Sequence, residues 1–283
     1  MHSTKEGYRL VKLASGVHSV HSLAHKETFH PVIGPVAEAE ALYVKQLHLP
    51  ERMAAHAGEF IIWDVGLGAA ANVLTVLKAT RATPCPLRIL SFDHTTAPLQ
   101  FALEHGAALE YFDSYEKAVA DFLKQGRATF TDGSRTVTWE LHPGDFPSLL
   151  THASLPAPHA ILFDAFSPAK NPAMWTQPLF ANLFRFLDPA RPCALPTYSR
   201  STMLRVSLLL AGFFVGAGHA TGEKEETTIA ANTLELISEP LDQTWLKRVQ
   251  SSTSAEPMWE PVYRQAPLAP ETWEKLRQHP QFK

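Results

Sequence analysis

From residue 8 to residue 23 polar and apolar positions alternate, with Tyr8, Leu10 and Lys12 on one side of the turn signal Ala14-Ser15-Gly16 and Val17, Ser19 and His21 on the other. That pattern predicts a β-hairpin. Residues 34–48 place Val36, Ala39, Leu42, Tyr43 and Leu47 near helical spacing behind Gly34-Pro35, which predicts a helix. From residue 59 the rhythm changes. Phe60-Ile61-Ile62-Trp63 is an unbroken apolar run, as expected of a strand covered on both faces. Gly66-Leu67-Gly68 follows, and then a helical pattern over 69–79. Further strands are predicted over 87–92, 136–141, 159–163 and 193–198. Helices are predicted over 98–105, 115–124, 178–187 and 201–211, the last stopped by Gly212. Residues 213–215 and 227–231 are expected to close the sheet as an antiparallel pair. Alternating strands and helices predict an α/β fold with a mainly parallel, doubly wound sheet, a closing antiparallel strand and an N-terminal β-hairpin.

Three segments are expected: the hairpin and helix of 1–50, a main domain over 51–238, and an extension over 239–283. Pro240, Pro257, Pro261, Pro267, Pro270 and Pro280 punctuate that extension, and Trp245, Trp259 and Trp273 predict that it docks. Composition narrows the function classes. The 283 residues carry 25 Lys and Arg against 28 Asp and Glu, a net charge of −3. This argues against a nonspecific polyanion binder, whose affinity needs many phosphate contacts, and leaves a local basic patch open. The 14 histidines are scattered. Pairs such as His18/His21 and His25/His30 lack the spacing of a helical zinc site, so no metal is expected. Cys85 and Cys193 alone build neither a disulfide framework nor a cysteine zinc site, which suits a reducing compartment. No apolar stretch is long enough for a membrane helix; residues 204–215, the longest candidate, include Arg205 and Ser207. The first residues lack the layout of a signal peptide. A cytoplasmic protein without a membrane partner is expected.

In parallel sheets of this kind ligands gather at the carboxyl ends of the strands. Asp64, Asp93, Asp145 and Asp164 all fall at or just past predicted strand ends. Each alone would pass as a turn or cap residue; their shared register is what points to a site. Gly66 and Gly68 permit a tight turn and close approach of a ligand to the backbone. Two cofactors fit that turn. A dinucleotide would use the G-x-G-x-x-A spacing that ends at Ala71. S-adenosylmethionine would use Asp64, two places before the first glycine, for its cationic amino-acid end. Asp93 would hold ribose hydroxyls under either reading. Asp145, in His142-Pro143-Gly144-Asp145, would accept from an adenine amino group, and a dinucleotide has less need of it. The joint pattern favours the methyl donor.

The most specific stretch is Asp164-Ala165-Phe166-Ser167-Pro168-Ala169-Lys170-Asn171-Pro172-Ala173-Met174-Trp175. It resembles the D-G-F-x-P-x-K-N-P-x-M-W motif in the methyltransferase half of the MnmC family, the bifunctional tRNA 5-methylaminomethyl-2-thiouridine biosynthesis enzymes, with Ala165 as the clear departure. The glycine motif resembles the family's acidic-x-G-x-G-x-G-x-N, with Asp64 for Glu, Ala70 for the third glycine and Asn72 at the end. Thr197-Tyr198-Ser199 resembles its T-F/Y-S strand end. Arg205, Leu209, Ala211-Gly212-Phe213 and Gly222-Glu223-Lys224-Glu225 follow in family order, and Phe29, Gly34, Glu38 and Val44 match a looser upstream signature. The likeness covers roughly residues 25–232.

The resemblance implies a class I, Rossmann-like methyltransferase fold with S-adenosyl-L-methionine as cofactor. Asp64, Gly66, Gly68, Asn72, Asp93, Asp145 and Asp164 would bind that cofactor. The acceptor would be the primary amine of a 5-aminomethyl group on the wobble uridine of tRNA. The family's flavin-binding oxidase half is absent, so a separate FAD-dependent oxidase would act earlier. Methyl transfer to an amine needs alignment and a neutral nitrogen. Asp164, Phe166 and Tyr198 are the catalytic candidates: Asp164 to orient the amine or take its proton, Phe166 to stack on a base, Tyr198 to line the acceptor pocket. Phe166, Pro168, Lys170 and Lys224 are the substrate-binding candidates; Arg200 and Arg205 are further tRNA candidates. Two other readings stand beside this one: a methyltransferase for a small-molecule or protein amine, and a non-catalytic cofactor-binding module.

Overall fold

The alternating segment near the start of the chain forms an antiparallel sheet in the computed structural model, which describes residues 7–152, 154–222 and 225–283. Strands β1 (Tyr8–Lys12) and β2 (His18–Ser22) pair as the predicted hairpin, with Tyr8 opposite Ser22. A two-residue strand β3 (Glu27–Thr28) adds to β2. The helix predicted over 34–48 is broken. An α-helix over Pro35–Ala39 runs into a π-helix over Glu40–Lys45, and a separate helix spans Leu49–Ala54. Pro50 gives the reason. A proline there lacks an N–H and would clash with the preceding turn of a continuous helix. The chain instead passes through a left-handed conformation at His48, with φ 48°, and restarts with proline in the first turn.

The chain divides into two compact units, Met1–Asp145 with Thr221–Glu225, and Phe146–Ala220 with Glu226–Lys283. In the first, β4 (Phe60–Val65) is buried at every position, as its apolar run requires. It pairs in parallel with β5 (Leu87–Asp93), which pairs in parallel with β7 (Arg135–Pro143). Burying each large side chain of such strands contributes roughly 1.5–3 kcal/mol. Strand β6 (Arg127–Asp132), absent from the sequence reading, lies antiparallel to β7. Its signal was the turn. Asp132 pairs with Arg135 across Gly133-Ser134, and Gly133 has φ 65°. A Cβ on Gly133 would lie 2.5 Å from the Arg81 carbonyl oxygen, so glycine is required there. Beside this turn the Asp132 carboxylate accepts from Arg81 Nε at 2.8 Å, Arg135 Nη2 at 3.0 Å and the Tyr115 hydroxyl at 3.1 Å. This buried charge cluster stands at the start of β7, a full strand length from Pro143, and holds structure.

In the second unit β8 (Ala160–Phe163) and β9 (Ala194–Thr197) are parallel. Strand β11 (Thr227–Ala231) is antiparallel to β9, and β10 (Phe214–Gly218) antiparallel to β11. This is the closing pair that the sequence predicts. Helices Gln177–Phe186 and Thr202–Ala211 accompany the strands. Thr176 caps the first by accepting from the Leu179 N–H at 3.3 Å. Gly212, at φ 109°, ends the second, where a Cβ would lie 2.9 Å from Phe184. The extension docks in part. Trp245, Leu246, Val249, Leu276 and Phe282 are buried, whereas Trp259 is 44% exposed. At the β10 edge, Ala217 N–H donates to Glu239 O and Leu241 N–H to Val215 O. The Gln281 amide accepts from Val215 N–H at 2.8 Å and donates to Val215 O at 2.7 Å.

Candidate active site

The first unit gathers its acids by strand register. Val65 is level with Phe92, and Asp93 with Pro143, so β4, β5 and β7 end together. The chain leaving β4 turns through Gly66, at φ 95°, and Gly68, at φ 49°, before the helix Ala71–Thr80. Both angles lie where glycine is favoured. Gly66 N–H donates to Phe92 O at 3.0 Å, which ties the turn to β5. The Asp93 carboxylate reinforces the tie. Its Oδ2 accepts from Gly68 N–H at 3.2 Å and its Oδ1 from Thr95 N–H at 3.2 Å. Gly144 N–H in turn donates to Asp93 O at 3.1 Å and brings in the loop bearing Asp145, which is exposed. Asn72 is buried in the first turn of the helix. Ala70, at the family's third glycine, has φ 60°, a conformation that costs an alanine about 1–2 kcal/mol.

Asp64 lies deepest, with no exposed surface. Its Oδ2 accepts from the Ser91 hydroxyl at 2.6 Å, and Ser91 Oγ accepts from Trp139 Nε1 at 2.8 Å. The sequence reading missed Ser91 and Trp139; the signal was a serine inside the apolar run Ile89-Leu90-Ser91-Phe92. It missed two tyrosines as well. The buried Tyr111 hydroxyl donates to Ala69 O at 3.1 Å and braces the turn, and burial raises its pKa. Tyr8 stands near enough to Asp93 that the carboxylate, after burial the second cause, raises its pKa. Phe29 covers the turn, since a Cβ on Gly68 would lie 3.4 Å from its ring.

In the second unit Asp164 follows the last residue of β8 and is half-buried. The loop after it is braced at three points. The Tyr198 hydroxyl, just past β9, donates to Ala165 O at 3.0 Å. Trp175 Nε1 donates to Phe166 O at 2.8 Å. Lys170 and Asn171 N–H both donate to Ser167 O at 2.8 Å. Phe166 and Pro168 are half-buried and Lys170 is exposed. Tyr198 Oη thus serves the loop directly, while its ring meets Trp175 edge-on at 5.8 Å. Lys224 lies outside the described residues. Arg205 is a correction. It is buried, and its guanidinium donates to Thr228 Oγ1 at 3.1 Å, Glu226 Oε1 at 3.2 Å and Thr227 O at 2.8 Å, so it locks the start of β11 and is no RNA contact.

A family model of S-adenosyl-L-methionine-dependent methyltransferases matches residues 110–233. The tRNA 5-methylaminomethyl-2-thiouridine biosynthesis bifunctional protein MnmC of Cupriavidus metallidurans is 30% identical over 220 residues, 74% of this chain and 32% of that protein. MnmC of Aeromonas hydrophila is 30% identical over 206 residues, 68% of this chain and 30% of its own length. This chain is a relative of the MnmC methyltransferase part. It spans about a third of the length of the curated relatives that it matches. The crystal structure of MNMC2 from Aquifex aeolicus superposes with a TM-score of 0.71, covering 97% of this chain and 85% of that one at 20% identity. The fold is therefore the class I, Rossmann-like methyltransferase α/β fold, and the enzyme class is an S-adenosyl-L-methionine-dependent methyltransferase. The residues present fit that cofactor. Two left-handed glycines open the backbone, and acids stand at three adjacent strand ends. Among the described residues no helix is long and apolar enough to cross a membrane, and no group of three metal-ligating side chains stands together.

Proposed function

We propose that this protein methylates the primary amine of a 5-aminomethyl group on the wobble uridine of tRNA, in the cytoplasm, after a separate FAD-dependent oxidase has exposed that amine. The observation that carries this reading is the braced loop after β8. Its backbone is fixed at Ala165 and Phe166, next to Asp164, in a stretch that matches the MnmC motif at nearly every position.

Each residue has a task under this reading. Asp64 faces the ammonium of the donor's amino-acid end, Asp93 accepts from the ribose hydroxyls, and Asp145 accepts from the adenine amino group. Gly66 and Gly68 let the donor approach the backbone, beside Asn72. When bound, S-adenosyl-L-methionine supplies a methyl carbon whose bond to sulfur breaks, with its electron pair going to sulfur, as the bond to nitrogen forms. Asp164 accepts a hydrogen bond from the amine, aligns its lone pair and stabilises the positive charge that develops on nitrogen. An unperturbed aspartate has a pKa of about 3.9, too low for a strong base, so water carries the proton away. Phe166 stacks on the uracil ring, Pro168 stiffens the loop, and Lys170, with Lys224, meets phosphate. Tyr198 holds the loop through Ala165 O and so positions Asp164.

The test is incubation with methyl-labelled donor and tRNA carrying 5-aminomethyluridine, followed by digestion and nucleoside identification. A labelled methylaminomethyl nucleoside is expected, and Asp164→Asn should lower turnover about 10²-fold while leaving donor binding near wild type. Donor binding with no label in tRNA would overturn the RNA reading in favour of a small-molecule or protein amine, the reading that the net charge of −3 favours.

A further inference from the structure

Asp64 is a charged group with no exposed surface, and its surroundings are unusual for an apolar sheet interior. Asp64 on β4 is level with Ser91 on β5, and Ser91 is level with Leu141 on β7. Trp139 lies two residues before Leu141. Residues two apart on a strand share a face, so all three side chains lie on one side of the sheet. None of the three has exposed surface. The proton positions follow from chemistry. An indole N–H can only donate, so Ser91 Oγ must accept from Trp139 Nε1 across 2.8 Å. The single hydroxyl proton of Ser91 is then directed along the 2.6 Å contact to Asp64 Oδ2. Phe122 stacks on Trp139 with ring centroids 4.1 Å apart and an interplanar angle of 20°, which fixes where the indole points.

We propose that Trp139 and Ser91 form a one-way hydrogen-bond relay that orients the Asp64 carboxylate, and that this relay sets selectivity for ligands carrying the cationic amino-acid end of the methyl donor. The inference rests on the reading that Asp64 attracts that ammonium by its charge, the carboxylate itself having no exposed surface for direct contact. A carboxylate held by an O–H on one oxygen cannot swing freely about its own bond. Its other oxygen therefore keeps a constant direction. Without the relay the carboxylate loses the restraint on Oδ2, and the ammonium loses a preorganised partner while the rest of the ligand is bound as before. Ser91 and Trp139 are positioning residues; neither touches the ligand.

Calorimetric titration with two probes tests this. S-adenosylhomocysteine carries the amino-acid end and 5′-methylthioadenosine lacks it. Ser91→Ala should weaken S-adenosylhomocysteine about tenfold, as loss of one hydrogen bond to a charged group implies, and change methylthioadenosine less than about twofold. Trp139→Phe keeps the ring against Phe122 and removes only the N–H, so a shift of about threefold in the same ratio is expected. Ser91→Thr restores the hydroxyl and should restore the ratio. Equal loss for both probes, or an unchanged ratio in Ser91→Ala and Trp139→Phe, overturns the relay. Should Ser91→Ala fail to fold, Trp139→Phe and Ser91→Thr decide alone. Asp64→Asn separates the two levels. An unchanged ratio there refutes the role of Asp64 itself, whereas a changed ratio there with none in Trp139→Phe refutes only the relay.

Discussion

Replacing Asp93 by asparagine changes one atom and should cost both stability and cofactor affinity. The carboxylate uses its two oxygens separately, Oδ2 for Gly68 N–H and Oδ1 for Thr95 N–H, each at 3.2 Å. Asparagine has one acceptor oxygen, so one N–H must face an amide NH₂. A hydrogen bond to a charged acceptor contributes roughly 1.5–3 kcal/mol when buried. The Asp93 side chain is 12% exposed, which favours the lower end. His94 Nδ1, 3.4 Å from Oδ1, is 63% exposed, and such surface pairs contribute little. The expected loss is about 1.5 kcal/mol, or a fall in Tm of about 3–6 °C for a domain of this size. The Oδ2 bond is the second tie of the glycine turn to β5, after Gly66 N–H to Phe92 O, so an amide NH₂ on that side should accelerate amide exchange at Gly68. Ribose hydroxyls need the same oxygens, so affinity for S-adenosylhomocysteine should drop about tenfold. Thermal melting, hydrogen exchange and calorimetry read the three effects. A variant that melts with wild type and binds S-adenosylhomocysteine unchanged would refute this account of the turn.

Two further outcomes follow from the second unit. Arg205→Met should destabilise by about 2–3 kcal/mol, because Thr227 O and Thr228 Oγ1 lose buried donors while the half-exposed Glu226 rehydrates; the salt dependence of tRNA binding should not change, which titration at several ionic strengths checks. His279 packs against Phe214 and Phe282, and burial lowers its pKa from 6.5 to about 4. An unfolded chain would therefore take up a proton that the folded one refuses, so this contribution is complete above pH 6.5 and is lost as pH falls towards 4. His279→Gln should flatten that acid-side slope in a series of melts.

The elements most legible in the sequence were those whose environment is uniform. Strands β4 and β8 are buried on both sides, so their apolar runs needed no periodicity to be read. The closing pair β10–β11 was legible because Gly212 ends the preceding helix so plainly. Strand β6 was not, since its burial alternates irregularly at an edge and its one strong signal was the two-residue turn at Gly133. The helix over 34–48 failed for a related reason. Hydrophobic spacing cannot distinguish a continuous helix from one that passes through a π-helical segment and restarts at Pro50. Acids at strand ends were visible because register follows from strand boundaries. Their supporting residues were not, because Ser91, Tyr111 and Trp139 act across tens of residues and leave no local pattern.

The Gln281 side chain at the β10 edge has a consequence beyond holding the tail. The oxygen and one N–H of a side-chain amide make the same acceptor and donor pair that a peptide group of a neighbouring strand would offer, and here they take both polar groups of Val215, while the amide also donates to Leu241 O at 2.8 Å. With Glu239 and Leu241 alongside, the Val215 N–H and C=O and the Ala217 N–H of the outermost strand of the second unit are answered by its own chain. An open strand edge is a template on which other chains can add. Gln281 therefore works as a false last strand: it ends the sheet without extending it. Gln281→Ala would leave folding and the candidate site in place yet give the protein an adhesive flank, visible as self-association that grows with concentration.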